Sequence, residues 1–149
     1  MVTQWIVCAR AGIREEKNSV SKNSVSVGRK LKLLVVDDEP SICDCIRLLL
    51  SHDGHDVEVA NSAGAALSVF AKDKFDLIFT DYSMPGMKGD ELAERIKAVA
   101  PNQPVMMISG FAPERDALRS VDFVLSKPFD LVDLREAVNR FSQDETAGV

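Results

Sequence analysis

Five polar side chains, each at the end of a short apolar run, form a set that could do chemistry. They are three carboxylates, a hydroxyl and an amine: Asp37, Asp38, Asp81, Ser109 and Lys127. Crowded carboxylates repel one another and are tolerated where a hard cation neutralises them. Mg²⁺ is such a cation, and it prefers oxygen ligands. The set therefore indicates a magnesium site.

The same residue types suit the transfer of a phosphoryl group. An aspartate carboxylate can act as the nucleophile that accepts the group. The negative charge on the oxygens of the group in transfer is stabilised by Mg²⁺, a lysine amine and a hydroxyl. Each part of a phosphoryl-accepting site is therefore present in the sequence.

Short apolar runs that alternate with amphipathic segments would bring these residues together. The runs predict buried strands over 31–36, 57–59, 75–80, 105–108 and 123–125. Strands that alternate with helices imply a parallel sheet covered on both faces, and right-handed crossovers restrict its topology. We expect an α/β fold, a flavodoxin-like doubly wound five-stranded parallel sheet in the order 2-1-3-4-5. In such a sheet, ligands bind at the carboxyl ends of the strands.

Apolar residues at helical spacing predict the helices between these strands. Pro40 lies near the start of the first helix and Ser62 is expected to cap the second. A short helix is expected near 113–120. The first helix has an apolar stripe on one face, made of Ile42, Cys45, Ile46, Leu49 and Leu50, and the third helix is marked by Leu92, Ile96 and Val99. In the last helix the residues expected to face inward are Leu131, Leu134, Val138 and Phe141.

Composition and charge limit the class of function. The chain has 149 residues, 46% hydrophobic and 28% charged, as in a globular protein of one domain. Residues 1–30 hold six basic and two acidic side chains, so the remainder is acidic in a chain of net charge −5. An acidic body argues against direct binding to nucleic acid, and the apolar runs are too short to span a membrane.

The chain divides into three segments on composition. We expect a flexible leader over 1–30, one domain over 31–142 and a polar tail over 143–149. No signal peptide is found at the N-terminus, which predicts a cytoplasmic location with reduced cysteines. The tail leaves no room for an output domain, so we expect the output to come through another protein.

Four segments of this sequence match a known pattern in their order. They are Leu-Val-Val-Asp-Asp-Glu-Pro at 34–40, Asp-Tyr-Ser-Met-Pro-Gly-Met-Lys-Gly at 81–89, Ser-Gly at 109–110 and Ser-Lys-Pro-Phe at 126–129. Together they resemble the receiver domain of two-component response regulators, in its stand-alone CheY-like form. The resemblance covers about residues 31–142.

The resemblance implies a role for each residue of the metal site. Asp81 matches the aspartate that accepts the phosphoryl group. Asp38 would contact Mg²⁺ directly and Asp37 through water. Tyr82, the residue next after the acceptor, would lend its backbone carbonyl to the metal.

The resemblance also implies how the phosphoryl group is sensed. Ser109 matches the hydroxyl that turns toward the group, and Lys127 matches the lysine that pairs with it. The Lys127–Pro128 bond resembles the cis peptide of the family, which only a bond before proline adopts at low cost.

Two departures from the family concern the output surface. The family often has an aromatic residue three positions before the lysine, where this chain has Val124. Phe123 is adjacent but would point to the opposite face of its strand. The interval from Ser109 to Lys127 is short by about four residues, roughly one helical turn. We therefore expect the fourth helix to be shortened.

The resemblance implies a histidine kinase or a histidine phosphotransfer protein as the donor and a target protein as the receiver of the signal. A phosphorelay intermediate that passes the group to a second histidine is an open alternative, as is a receiver-fold docking module that is never phosphorylated. A phosphatase of the haloacid-dehalogenase type would place Asp-x-Asp after its first strand, where this chain has Asp37, Asp38 and Glu39.

Overall fold

The computed structural model describes residues 29–147 of the chain, with side chains from 29 to 142. The predicted leader lies outside the described residues except for its last two positions. The predicted division of the chain into leader, domain and tail therefore stays a prediction.

Five strands form the centre of the molecule. They are β1 (Lys32–Val36), β2 (Asp56–Ala60), β3 (Leu77–Asp81), β4 (Val105–Ser109) and β5 (Phe123–Ser126). Every neighbouring pair is parallel, and the order across the sheet is β2-β1-β3-β4-β5. β3 and β4 are buried along their whole length, as expected of strands covered on both faces. The predicted sheet and its strand order are confirmed.

Helices connect the strands. The described residues form α1 (Pro40–His52), α2 (Ala63–Val69), α3 (Gly89–Val99) and α4 (Leu131–Ala147). Between β4 and β5 the chain forms a single short 3₁₀ helix, Arg115–Leu118, which confirms the predicted shortening. Ser62 caps α2 as predicted, since its Oγ accepts a hydrogen bond from the Ala65 amide at 3.0 Å. Among these helices, none has both the length and the apolar character that crossing a membrane would require.

The core is divided by the sheet into two layers. On one face, α1 and α4 pack against the strands; on the other face, α2 and α3 do so. Phe79 and Phe141 are among the largest side chains of the first layer, and Ile78 and Leu92 belong to the second. Helices therefore cover both faces. The connections into α1 and α3 begin at the carboxyl edge of the sheet.

The predicted apolar stripes of α1 and α3 are confirmed in part. In α1, Ile42, Ile46 and Leu50 are buried as predicted, and Cys43 is buried as well. In α3, Leu92 and Ile96 are buried together with Gly89 and Ala93, while Val99 is 63% exposed. Both helices have apolar residues on either side of the buried stripe, so the spacing of apolar residues alone does not determine which of them are buried.

Two element ends also differ from the prediction. β3 begins at Leu77 and ends at Asp81, so Asp81 is the last residue of the strand rather than the first after it. α4 runs on to Ala147, through five residues that were expected to be tail. Those residues include the helix formers Gln143, Glu145 and Ala147, and no glycine or proline stops the helix before Gly148.

Candidate functional site

The carboxyl edge of the sheet gathers the predicted residues because all five strands end there. β1 ends at Val36, and the Asp37 amide donates a hydrogen bond to the Ala60 carbonyl at 3.2 Å, which holds the exit of β1 beside that of β2. Asp38 follows before α1 begins at Pro40. The result is a short acidic connection directly above the central strands.

Asp37, Asp38 and Asp81 form one cluster. Each offers a carboxylate oxygen, and these oxygens all lie within 4.8 Å of one another. Asp37 is 2% exposed and Asp81 is 6% exposed, so two of the three acids are buried. Lys127 reaches the cluster from the end of β5, where its Nζ donates to Asp81 Oδ1 at 3.0 Å. The structure thus brings four of the five predicted side chains together.

The electrostatics of the cluster are unfavourable without a further cation. The Glu39 amide donates to Asp37 Oδ1 at 2.9 Å, but the buried Oδ2 of Asp37 has no hydrogen-bond partner within the part of the chain that the structure describes. Burial, joined by the negative charge of Asp81, raises the pKa of the Asp37 carboxyl to about 7. Burial also raises the pKa of Asp81, while the hydrogen bond from Lys127 opposes that shift. An orphaned buried oxygen among three carboxylates is what a divalent cation, or water bound to one, would satisfy.

Ser109 is the last residue of β4 and lies at the same edge of the sheet, but its hydroxyl forms hydrogen bonds with Phe111. Its Oγ donates to the Phe111 carbonyl at 2.6 Å and accepts from the Phe111 amide at 3.2 Å. Within the described part of the chain, the hydroxyl therefore forms its hydrogen bonds inside its own loop and not with Asp81. This arrangement depends on the side-chain rotamer of Ser109, which the sequence does not reveal.

The Tyr82 carbonyl, predicted to bind the metal, already accepts a hydrogen bond from the Gly89 amide at 3.0 Å. Gly89 is a residue whose role sequence reasoning missed, although it stood in the matching motif. A Cβ at this position would lie 2.3 Å from the Asp81 carbonyl oxygen, far inside the normal contact distance. The glycine lets the start of α3 pack directly on the backbone of Asp81.

The end of β5 agrees with the predictions made for it. The Lys127–Pro128 peptide is cis. Val124 is 44% exposed on one face of β5. Phe123 points to the other face, where its ring meets that of Phe141 edge-on at a centroid distance of 6.2 Å. Phe123 therefore does not substitute for an aromatic residue at position 124.

Similarity to known proteins agrees with this geometry. The family model described as the response regulator receiver domain matches residues 33–139. An uncharacterized 14.6 kDa protein of Leptolyngbya boryana is 34% identical, with 75% of this chain and 90% of that protein covered. The response regulator protein PilR of Pseudomonas aeruginosa is 35% identical over 72% of this chain. The matched region spans only 25% of PilR, so this chain corresponds to about a quarter of that relative.

Solved structures share the fold. A CheY-like receiver domain protein of Methanospirillum hungatei has a TM-score of 0.74 at 27% identity, covering 80% of this chain and 99% of that one. TrrA of Thermotoga maritima, solved in complex with Mg²⁺ and BeF, has a TM-score of 0.68 at 28% identity. Its match covers 74% of this chain and 97% of TrrA.

Proposed function

The chain belongs to the response regulator receiver domain family, and we propose that it is a phosphoacceptor switch in which Asp81 takes a phosphoryl group with the help of Mg²⁺. In this role it is a signalling component rather than an enzyme that turns over a free substrate. The observation that carries the proposal is the crowded group of three carboxylates, two of them buried, which a single lysine cannot neutralise. Among the described residues, one buried oxygen of this group has no hydrogen-bond partner.

The residues that would hold Mg²⁺ are Asp37, Asp38 and Asp81, with a backbone carbonyl from the loop that follows. We predicted Tyr82 for that carbonyl. Because its oxygen already accepts from the Gly89 amide, the carbonyl of the next residue, Ser83, is a second candidate. Bound Mg²⁺ would supply positive charge for the oxygens of the phosphoryl group and for the crowded carboxylates.

The chemical step is a displacement at phosphorus. A carboxylate oxygen of Asp81 attacks the phosphorus of a phosphohistidine, and the P–O bond forms as the P–N bond breaks. The histidine nitrogen leaves with the bonding electron pair and is protonated by water. Lys127, 3.0 Å from Asp81 Oδ1, is placed to bond an oxygen of the transferred group. Hydrolysis of the acyl phosphate by water restores the carboxylate and releases inorganic phosphate.

A small phosphodonor tests the proposal. We expect acetyl phosphate with Mg²⁺ to add the mass of one phosphoryl group to the intact chain, and EDTA to prevent the addition. Asp81→Asn should take up nothing. Asp76→Asn is the matched control, because Asp76 lies at the opposite edge of the sheet before β3, and it should behave as wild type. Uptake that persists in Asp81→Asn, or no uptake by wild type with Mg²⁺, would contradict the proposal.

We propose a histidine kinase or a histidine phosphotransfer protein as the natural donor, a target protein as the receiver of the signal, and the cytoplasm as the site of action. A relay intermediate would return the label from phosphorylated Asp81 to a histidine when mixed with an unlabelled phosphotransfer protein. A signalling switch would instead keep the label and gain affinity for its target. A docking module that is never phosphorylated would fail the acetyl phosphate experiment altogether.

A further inference from the structure

The Ser109 hydroxyl has one proton to donate, and a backbone carbonyl already accepts it. It donates to the Phe111 carbonyl at 2.6 Å, while the Phe111 amide donates back to the same oxygen at 3.2 Å. A hydroxyl carries a single O–H donor. If it donates to an oxygen of a phosphoryl group on Asp81, it must release the Phe111 carbonyl. The two hydrogen bonds are therefore mutually exclusive.

Little else restrains Phe111. The side chain is 79% exposed, and it is the exposed one among the aromatic side chains from residue 29 to residue 142. Its backbone amide and carbonyl both form hydrogen bonds with the Ser109 hydroxyl. Gly110 lies between them. Apart from its two chain neighbours, none of the described residues has an atom within 4 Å of the place a Cβ would take there, so the intervening residue is not packed in position. Releasing the hydroxyl would free the backbone that carries the ring.

The position where the family often has an aromatic residue cannot supply a moving ring in this chain. Val124 is there, and Phe123 is held on the other face of β5 against Phe141. The nearest exposed ring in sequence to the Ser109 hydroxyl is instead that of Phe111, in the same loop.

We propose that Phe111 is the residue through which Ser109 reports phosphorylation: the hydroxyl holds the Phe111 backbone in the unphosphorylated state and releases it when it bonds the phosphoryl group, so that the ring moves. The inference rests on the proposed phosphorylation of Asp81. It adds a named moving residue, on the β4–β5 loop, whose displacement changes the surface that a partner would meet.

A fluorescent reporter tests the movement. The chain has one tryptophan, Trp5, so Trp5→Phe combined with Phe111→Trp leaves a single indole at the proposed moving position. The probe is beryllium fluoride with Mg²⁺, the pair present in the TrrA complex. We expect the emission maximum to shift when the indole changes its surroundings, and because the position starts at 79% exposure, a blue shift would report a move against the protein.

Ser109→Ala in the same background is the control, since it removes the hydroxyl that couples the two sites. We expect beryllium fluoride with Mg²⁺ to raise the thermal unfolding midpoint of both proteins, by less in Ser109→Ala, which loses one hydrogen bond to the bound group. The emission should shift only where Ser109 is present. A raised midpoint without an emission shift in the Ser109 protein would overturn the inference and leave the proposed function standing. An equal shift in Ser109→Ala would also overturn it. No rise of the midpoint in either protein would reject the proposed function, and the inference with it.

Discussion

The two edges of the sheet hold aspartates in comparable positions and satisfy them in opposite ways. At the amino edge, Asp76 directly precedes β3 and Asp122 directly precedes β5. Each carboxylate accepts a hydrogen bond from the first amide of the neighbouring strand, that of Lys32 at 2.7 Å and that of Val105 at 2.8 Å. Each backbone amide donates back to the carbonyl of the same partner, at 2.7 Å and 2.9 Å respectively. The same device thus joins β1 to β3 and β4 to β5.

Each of these amino-edge acids also has its own cation. Arg29 donates to Asp76 at 2.8 Å, and Lys97 donates to Asp122 at 2.7 Å. At the carboxyl edge, Lys127 contacts Asp81 within the cluster of three acids, and one buried oxygen of the cluster has no hydrogen-bond partner among residues 29–142. A carboxylate with an amide and a cation stabilises the fold, whereas a crowded buried set costs stability unless something else binds to it.

The difference indicates that the acids at the amino edge stabilise the fold, whereas those at the carboxyl edge lower its stability and serve function. Removing an acid from the amino edge should cost stability and leave the metal chemistry intact. Removing an acid from the carboxyl edge should do the reverse. Substitutions at the two edges test that contrast.

Asp37→Asn should weaken Mg²⁺ binding by about 10- to 100-fold, because Asp37 is expected to contact the ion through water and the loss of such an outer partner has a cost of that size. Isothermal titration calorimetry with MgCl₂ at pH 8 measures the affinity. Asp76→Asn, the same change at the amino edge, should leave it unaltered. Comparable losses of Mg²⁺ affinity in the two variants would show that the two edges do not differ in this respect.

The free energy of unfolding without Mg²⁺ should rise as the pH is lowered from 8 to 6.5. The folded-state pKa of Asp37 is about 7, above its unfolded value of 3.8, so the folded protein binds the proton more tightly. The Asp37 contribution is fully present below pH 3.8 and is lost as the pH rises through about 7. The raised pKa of Asp81 acts in the same direction.

Asp37→Asn should remove the part of that dependence that Asp37 contributes. It should be more stable than wild type at pH 8 by on the order of 4 kcal/mol, since a rise of the pKa from 3.8 to about 7 corresponds to about 1.4 kcal/mol for each unit. Urea unfolding at several pH values, in EDTA, measures the difference between the two proteins. His55 has a lowered pKa and the opposite sign, but it is present in both proteins and cancels in the difference. A variant that is less stable than wild type at pH 8 would mean that Asp37 is stabilising in the absence of metal.

The residues of the carboxyl edge could be predicted from the sequence because two rules apply there together. Alternating strand and helix patterns predict a parallel sheet, and in a parallel sheet the residues that end each strand converge. Asp37, Asp81 and Lys127 follow from those rules alone. The rotamer of Ser109 does not, because its partner, the Phe111 carbonyl, is a backbone group that any residue would provide.

The amino edge was missed for a different reason. Asp76 was predicted inside a strand, as part of the run 75–80, whereas it precedes β3 and holds the start of β1. The sequence does carry a signal, since Phe75-Asp76-Leu77 and Val121-Asp122-Phe123 both place one aspartate between apolar residues at a strand start. Which amide each carboxylate accepts from depends on the strand order, so the signal has meaning only once the fold is known.

Gly89→Ala should lower both stability and phosphoryl uptake. Its Cβ would meet the Asp81 carbonyl oxygen at 2.3 Å, so either α3 or the acceptor strand must shift, at about 1–3 kcal/mol. Gly64→Ala in α2 is the control, because its nearest neighbour would be Ser62 Oγ at 3.9 Å. That change should stabilise the helix by about 0.5–1 kcal/mol. Urea unfolding and the rate of uptake from acetyl phosphate measure the two effects, and normal uptake by Gly89→Ala would show that the acceptor tolerates the shift.

Asp76→Ala should destabilise the fold by about 1–2 kcal/mol, because the Lys32 amide loses its acceptor. Asp122→Ala should cost less, since its carboxylate is 40% exposed against 23% for Asp76 and water can replace it more easily. Urea unfolding at pH 7 measures both, and Mg²⁺ affinity should stay unchanged in each.

Asp76→Asn separates the backbone hydrogen bond from the ion pair with Arg29. The amide oxygen of asparagine can still accept from Lys32, and an ion pair with a mostly exposed arginine contributes only about 0–1 kcal/mol. We therefore expect Asp76→Asn to retain most of the stability that Asp76→Ala loses. If the two variants are equally unstable, the charge of Asp76 rather than its bond to the strand start stabilises the amino edge. The acids at the two edges would then differ in how many cations they have, and not in how they bond the backbone.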